Sequence, residues 1–99
     1  MKLLLVEDDK DLSEFVQEGM AREGFSVDLA RNGQDAIDLA TRTSYEVILL
    51  DVMMPGMDGY TVLRRLRAKG HPGAILLARN LQQSGSVRLR RPHFLVPMF

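Results

Sequence analysis

Two short apolar runs, Leu3-Leu4-Leu5-Val6 and Val47-Ile48-Leu49-Leu50, constrain this chain more than any other feature. Each leaves no polar face, so each reads as a strand buried on both sides, as in a parallel sheet covered by helices. Each run also closes on carboxylates, Glu7-Asp8 after the first and Asp51 after the second, with Asp58-Gly59 just beyond. In an open parallel sheet, ligands gather in the crevice outside the carboxyl ends of the strands. Neighbouring strands would therefore bring Glu7, Asp8 and Asp51 to one rim. Carboxylates crowded together repel unless a cation joins them, and a hard divalent ion with oxygen ligands, Mg²⁺ above all, suits such a site. The alternative is that Asp8 and Asp9 merely cap the following helix and Asp51 begins a turn.

The rest of the chain supplies the elements such a sheet needs. Leu12, Phe15, Val16 and Met20 recur at helical spacing, with Asp9 or Asp11 near the start, where the macrodipole favours acids. Gly24 suits a helix stop. Phe25, Val27 and Leu29 alternate with Ser26, Asp28 and Ala30, as in a strand at a sheet edge. Asn32-Gly33 is a turn signal, and Ala36, Ile37 and Ala40 suggest a second helix ending near Ser44. Strand character returns over Tyr45 to Leu50. Pro55-Gly56 breaks the chain, Asp58 has the character of an N-cap, and Tyr60, Val62, Leu63 and Leu66 form the apolar side of a third helix. Its later turns carry Arg64, Arg65, Arg67 and Lys69, the pattern of a solvated, dipole-complementing helix end. After the loop Gly70-His71-Pro72-Gly73, Ala74 to Ala78 reads as a fourth strand. Strand–helix alternation of this kind predicts an α/β fold with right-handed crossovers.

Beyond Ala78 the texture changes. Asn80 to Arg91 shows no apolar period, and Phe94-Leu95-Val96 is a candidate fifth strand. Nine basic against 13 acidic residues give a net charge of −4 up to Ala78, and four arginines after it (Arg79, Arg88, Arg90, Arg91) restore neutrality. Ninety-nine residues with 45% hydrophobic content fit one domain, residues 1–99, of which 79–99 form a divergent part. The absence of cysteine excludes a disulfide framework and a thiolate metal site. No apolar run reaches the roughly 20 residues of a membrane span, so a cytoplasmic protein without membrane association is expected.

The segments Lys2-Leu3-Leu4-Leu5-Val6-Glu7-Asp8-Asp9 and Asp51-Val52-Met53-Met54-Pro55-Gly56-Met57-Asp58-Gly59 resemble the receiver domain of bacterial two-component response regulators, in its OmpR/PhoB-like form. The resemblance covers residues 1–77. It implies a doubly wound, flavodoxin-like parallel sheet with strand order 2-1-3-4-5, here without the last helix. It also implies a Mg²⁺-dependent phosphorelay in which a sensor histidine kinase donates a phosphoryl group to Asp51. Asp8 and Asp51 would bind the metal directly, Glu7 through water, and Met53 through its backbone carbonyl. Phe94 would occupy the family's switch-aromatic position. Such a chain is a phosphoacceptor rather than an enzyme, and a second copy or a full-length regulator are further partners it implies.

Two departures accompany the resemblance. Leu76-Leu77-Ala78-Arg79 lacks the Ser or Thr with which a receiver ends its fourth strand, and Pro97 stands where the family has a lysine. They support an alternative, a phosphorylation-independent pseudo-receiver that acts as a binding module. A haloacid-dehalogenase-type hydrolase would need a second aspartate where Met53 stands. DNA binding by this chain is not expected, since four arginines in an aperiodic segment give only sequence-blind attraction. His71 and His93, each beside a proline in a loop, are not paired as metal ligands.

Overall fold

The computed structural model describes residues 1–52, 54 and 56–78, together with the backbone of 95–98. Strand β1 (Lys2–Val6) leads into helix α1 (Lys10–Arg22), then β2 (Ser26–Ala30), α2 (Gly33–Arg42), β3 (Val47–Asp51), α3 (Gly59–Ala68), β4 (Ala74–Ala78) and β5 (Leu95–Met98). The sheet has the order β2-β1-β3-β4-β5. Strands β2, β1, β3 and β4 are mutually parallel, and β5 lies beside β4 as expected but runs antiparallel to it. A parallel return to the sheet needs a crossover, usually a helix, whereas an antiparallel one does not. Pro97 pairs with Leu76, a position on the outermost strand where a missing N–H is tolerated.

Strand periodicity divides the apolar runs between two cores. Leu4, Val6, Ile48, Leu50, Ile75 and Leu77 point to one face, where Ala36, Ile37, Val62, Leu63 and Leu66 of α2 and α3 cover them. Leu3, Leu5, Leu49 and Ala78 point to the other, against Leu12 and Val16 of α1. This is why the runs carry no polar residue: both faces are covered. Phe15 and Tyr60, assigned from spacing to the buried sides of α1 and α3, are instead 50% and 37% exposed. Each lies at the margin of its stripe, and helical spacing alone does not locate that margin.

Helix starts follow side-chain chemistry. Asp9, Asn32 and Asp58 are the N-caps of the three helices, their side-chain oxygens accepting from the backbone N–H of Leu12, Asp35 and Thr61. Asn32-Gly33 is therefore a helix start rather than a free turn. Asp58 accepts from Thr61 N–H, and that hydrogen bond holds its carboxyl below the usual aspartate range. Among the described residues, no helix is long and apolar enough to cross a membrane.

The loop into β4 departs most from its sequence reading. His71 is buried, with 8% exposure. Arg67, grouped with the solvated basic residues of α3, turns one guanidinium nitrogen inward to the carbonyls of His71 (3.0 Å) and Gly73 (3.1 Å).

Candidate functional site

The carboxylates meet because of register. Leu3 to Val6 of β1 pair in parallel with Val47 to Leu50 of β3. Glu7 follows Val6 and Asp51 follows Leu50, so the two carboxylates leave adjacent strands at the same level. Both continue the parity of Leu5 and Leu49 and so start from the α1 side of the sheet. Glu7 is fully buried and Asp51 is 1% exposed, while Asp8 reaches solvent. One oxygen from each of Glu7, Asp8 and Asp51 lies within 4.8 Å of the others.

The backbone around the site fixes these positions. Glu7 N–H donates to the Ala30 carbonyl at 2.9 Å, tying the end of β1 to the end of β2. Asp9 N–H donates to Glu7 Oε2 at 3.1 Å, and the Asp9 side chain caps α1 at 2.8 Å. Capping therefore belongs to Asp9, while Glu7 and Asp8 bring their carboxylates toward Asp51. On the other strand, Asp51 is the last residue of β3 rather than the first of a turn, and Val52 N–H donates to the Ala78 carbonyl at 3.2 Å. Asp51 pairs with Ala78, so the β4 residue facing the candidate acceptor has no hydroxyl.

Gly59 positions α3 in a way spacing did not show. A Cβ there would meet the Asp51 carbonyl oxygen at 2.7 Å and Val52 Cα at 2.8 Å. Only a glycine lets the first turn of α3 approach the end of β3 this closely. The Asp58-Gly59 pair was legible as a helix start, but not as a packing contact with Asp51. Arg31 is another residue the sequence reading passed over: at the β2 end of this rim, its Nη1 donates to the buried Ser13 Oγ at 3.1 Å.

The donor set tests which cation fits. It consists of carboxylate oxygens, with no imidazole or thiolate in the group, which suits a hard ion such as Mg²⁺. Octahedral Mg²⁺, with bonds of about 2.1 Å, holds its ligand oxygens roughly 3 to 4 Å apart. The three carboxylate oxygens, all within 4.8 Å of one another, lie in the range that one such ion could draw together. Among the described residues this is the only such group of His, Cys, Asp or Glu ligand atoms. Met53 and Phe94 lie outside the described residues, as do Arg79, Arg88, Arg90, Arg91 and His93.

Comparison with known proteins converges on one family. A family model described as the response regulator receiver domain matches residues 3–88. The transcriptional regulatory protein CusR of Escherichia coli K12 is 44% identical over 80 residues, covering 79% of this chain and 35% of CusR. HprR of the same organism is 42% identical over 81 residues, covering 81% of this chain and 36% of HprR. The chain thus spans about a third of the length of these relatives. Among solved structures, the response regulator TrrA of Thermotoga maritima, in complex with Mg(2+)-BeF, has a TM-score of 0.76 at 30% identity. The match covers 80% of this chain and 69% of that one. A Francisella receiver domain gives 0.75 at 30% identity, covering 81% and 66%.

Proposed function

We propose, from the premise that this chain belongs to the response regulator receiver family, that it accepts a phosphoryl group on Asp51 from a sensor histidine kinase. Receiver domains serve two-component phosphorelay signalling, and the relatives in hand are transcriptional regulatory proteins. The observation that carries the reading is the convergence of the Glu7, Asp8 and Asp51 oxygens within 4.8 Å, two of the three residues buried.

In the proposed transfer, an Asp51 carboxylate oxygen forms a bond to phosphorus as the donor's phosphorus–nitrogen bond breaks. The departing imidazole takes up a proton, and Asp51 becomes an acyl phosphate. Two anions must approach each other, so the barrier is chiefly one of charge and alignment. Mg²⁺, when bound, would supply the neutralising charge. Glu7, Asp8 and Asp51 would hold it, with the Met53 carbonyl as a further ligand. The protein's own contribution is positioning. The β1–β3 register sets the carboxylates side by side, Asp9 N–H orients Glu7, and the Gly59 contact holds the end of β3.

On this reading the chain is a phosphoacceptor rather than an enzyme acting on free substrates, works in the cytoplasm, and partners a kinase, a second copy or a full-length regulator. Incubation with a small phosphoryl donor such as acetyl phosphate, followed by intact-mass measurement, tests it. One added phosphoryl group that requires Mg²⁺ and disappears in Asp51→Asn is expected. No uptake in the wild type, or uptake unchanged in Asp51→Asn, would overturn the reading.

A second reading rests on Ala78, which faces Asp51 without a hydroxyl. It is a pseudo-receiver that binds partners independently of phosphorylation. A kinase-binding affinity indifferent to Asp51→Asn, together with no phosphoryl uptake, would favour it.

A further inference from the structure

A second polar cluster lies at the other end of the sheet, where β3 and β4 begin. The His71 ring stacks on the buried Tyr45 ring, with centroids 6.5 Å apart and planes at 22°. Gly73 N–H approaches His71 Nδ1 at 3.1 Å, and Tyr45 N–H approaches Nε2 at 3.4 Å. Both ring nitrogens thus face backbone donors. The packing permits little else: a Cβ on Gly73 would collide with the Tyr45 carbonyl and meet His71 Cε1 at 2.9 Å. The His71 carbonyl in turn accepts from Arg67, which also holds the Gly73 carbonyl.

We propose that His71 is a pH-released latch: its neutral ring joins the start of β3 to the loop entering β4, and its protonation parts them. A neutral imidazole carries one ring-nitrogen lone pair and one N–H. Either tautomer accepts from one of the two backbone donors. With the lone pair on Nε2 the ring accepts from Tyr45 N–H and spans to the β3 side. With it on Nδ1 the ring accepts from Gly73 N–H while it stays stacked on Tyr45. The doubly protonated ring has no acceptor left, so it would set N–H against N–H on both sides.

Among the described residues, no neighbouring charge offsets that loss. From α3 and its C-terminal end come the Arg67 guanidinium and Lys69, which lines a cavity of about 380 Å³ beside the imidazole. Thr41 and Ser44, at and after the end of α2, line the same cavity and are neutral. From the β3 side come the Tyr45 hydroxyl, committed to Asp28, and Glu46, whose carboxylate accepts from Lys2 N–H. From β1, Lys2 Nζ sits 5.9 Å over the Tyr45 ring and 3.6 Å from Asp28. The Asp28 and Glu46 carboxylates are thus engaged by other partners, and among the described residues the charged groups named beside the ring, Arg67 and Lys69, are cations. Burial first, and then the charge of Arg67, depress the imidazole's proton affinity.

The sign follows from linkage. Above the ordinary imidazole value of about 6.5 both folded and unfolded chains carry a neutral ring, and the latch is closed. As pH falls through that value the unfolded or opened chain binds the proton first, so stability is lost toward acid. The test is NMR of the full chain between pH 7.5 and 5. The His71 ring shifts would be followed alongside amide exchange at Tyr45 and Gly73, corrected for the intrinsic pH dependence of exchange. The expected result is that His71 titrates below the ordinary value. Protection at Tyr45 and Gly73 should fall at least ten-fold as it does, while Leu49 in β3 keeps its own. In His71→Gln, which retains an acceptor but cannot be protonated, the Tyr45 and Gly73 loss should vanish. An ordinary His71 titration, loss of protection shared equally by Leu49, or an unchanged loss in His71→Gln would overturn the proposal. The wild-type titration decides the matter alone if the variant does not fold.

Discussion

Glu7 and Asp51 end adjacent parallel strands side by side, because Val6 stands in register with Leu50 one residue before them. A one-residue slip in that pairing would send one carboxylate to the other level and its apolar neighbours to the wrong faces. The apolar runs that build the core therefore also set the site.

Neutralising the carboxylates should separate their roles. Glu7→Gln, Asp8→Asn and Asp51→Asn are each expected to weaken Mg²⁺ binding, measured by titrating amide shifts with the cation. The two proposed direct ligands should cost more affinity than Glu7, the one expected to act through water. Saturating Mg²⁺ should also raise the thermal midpoint of the wild type. Ligand at 100 times its dissociation constant stabilises a folded chain by about 2.7 kcal/mol, and chelation should remove that gain.

Gly59→Ala should damage the site without touching a ligand. Its Cβ would press on the Asp51 carbonyl and Val52 Cα, both backbone atoms that cannot rotate away. Overpacking of this kind costs about 1 to 3 kcal/mol, readable by denaturant unfolding. Mg²⁺ affinity should fall as well, since the end of β3 must move.

Tyr45→Phe removes the 2.7 Å hydrogen bond from the Tyr45 hydroxyl to Asp28. A loss of about 1 to 2 kcal/mol is expected. Burial, then the Asp28 contact, push the Tyr45 hydroxyl up to about 12 from its ordinary 10.0. The folded chain thus keeps a proton that the unfolded chain releases. The stabilisation is complete below pH 10 and is lost as pH rises toward 12. Ultraviolet titration should show this ionisation in the folded protein lagging behind that of the chain in denaturant.

The helix caps give a prediction for the acid side. Asp9→Ala should cost about 1 kcal/mol by removing the α1 cap, and Asp9→Asn, which retains an acceptor oxygen, should cost much less. For Asp58 the proton affinity is depressed by Thr61 N–H, so its contribution is present above the unfolded carboxyl value. That contribution disappears as pH falls through the folded value. Circular dichroism of Asp58→Asn against pH should show a shallower acid transition than the wild type.

Much of this architecture was legible from side-chain pattern alone. The apolar runs 3–6 and 47–50 announced strands covered on both faces, and 74–78 announced β4 to the residue. Asp58 announced the start of α3. These signals are local: burial on both faces demands unbroken apolar residues, and a helix start demands an acceptor for its free N–H groups. The alternating pattern and the carboxylates at strand ends were enough to bring Glu7, Asp8 and Asp51 to one rim.

What composition and spacing left open are relationships between residues distant along the chain. Nothing local marked Asn32 as a cap rather than a turn, since the same side chain satisfies either backbone. His71 and Arg67 carry the chemistry of solvated residues; the segment leading into β3 engages His71 through the Tyr45 ring and N–H, and the carbonyls of the loop before β4 engage Arg67. Gly59 is obligatory because the end of β3 lies against α3, a fact of packing rather than of helix chemistry. The direction of β5 is likewise a matter of how the chain returns to the sheet, since alternation is the same for parallel and antiparallel strands. Local burial and capping fix which segments are strands and helices and where the carboxylates fall along them, so these are written in the chain itself. Which groups meet across the sheet depends on register and close approach, and those belong to the packed fold rather than to any one segment.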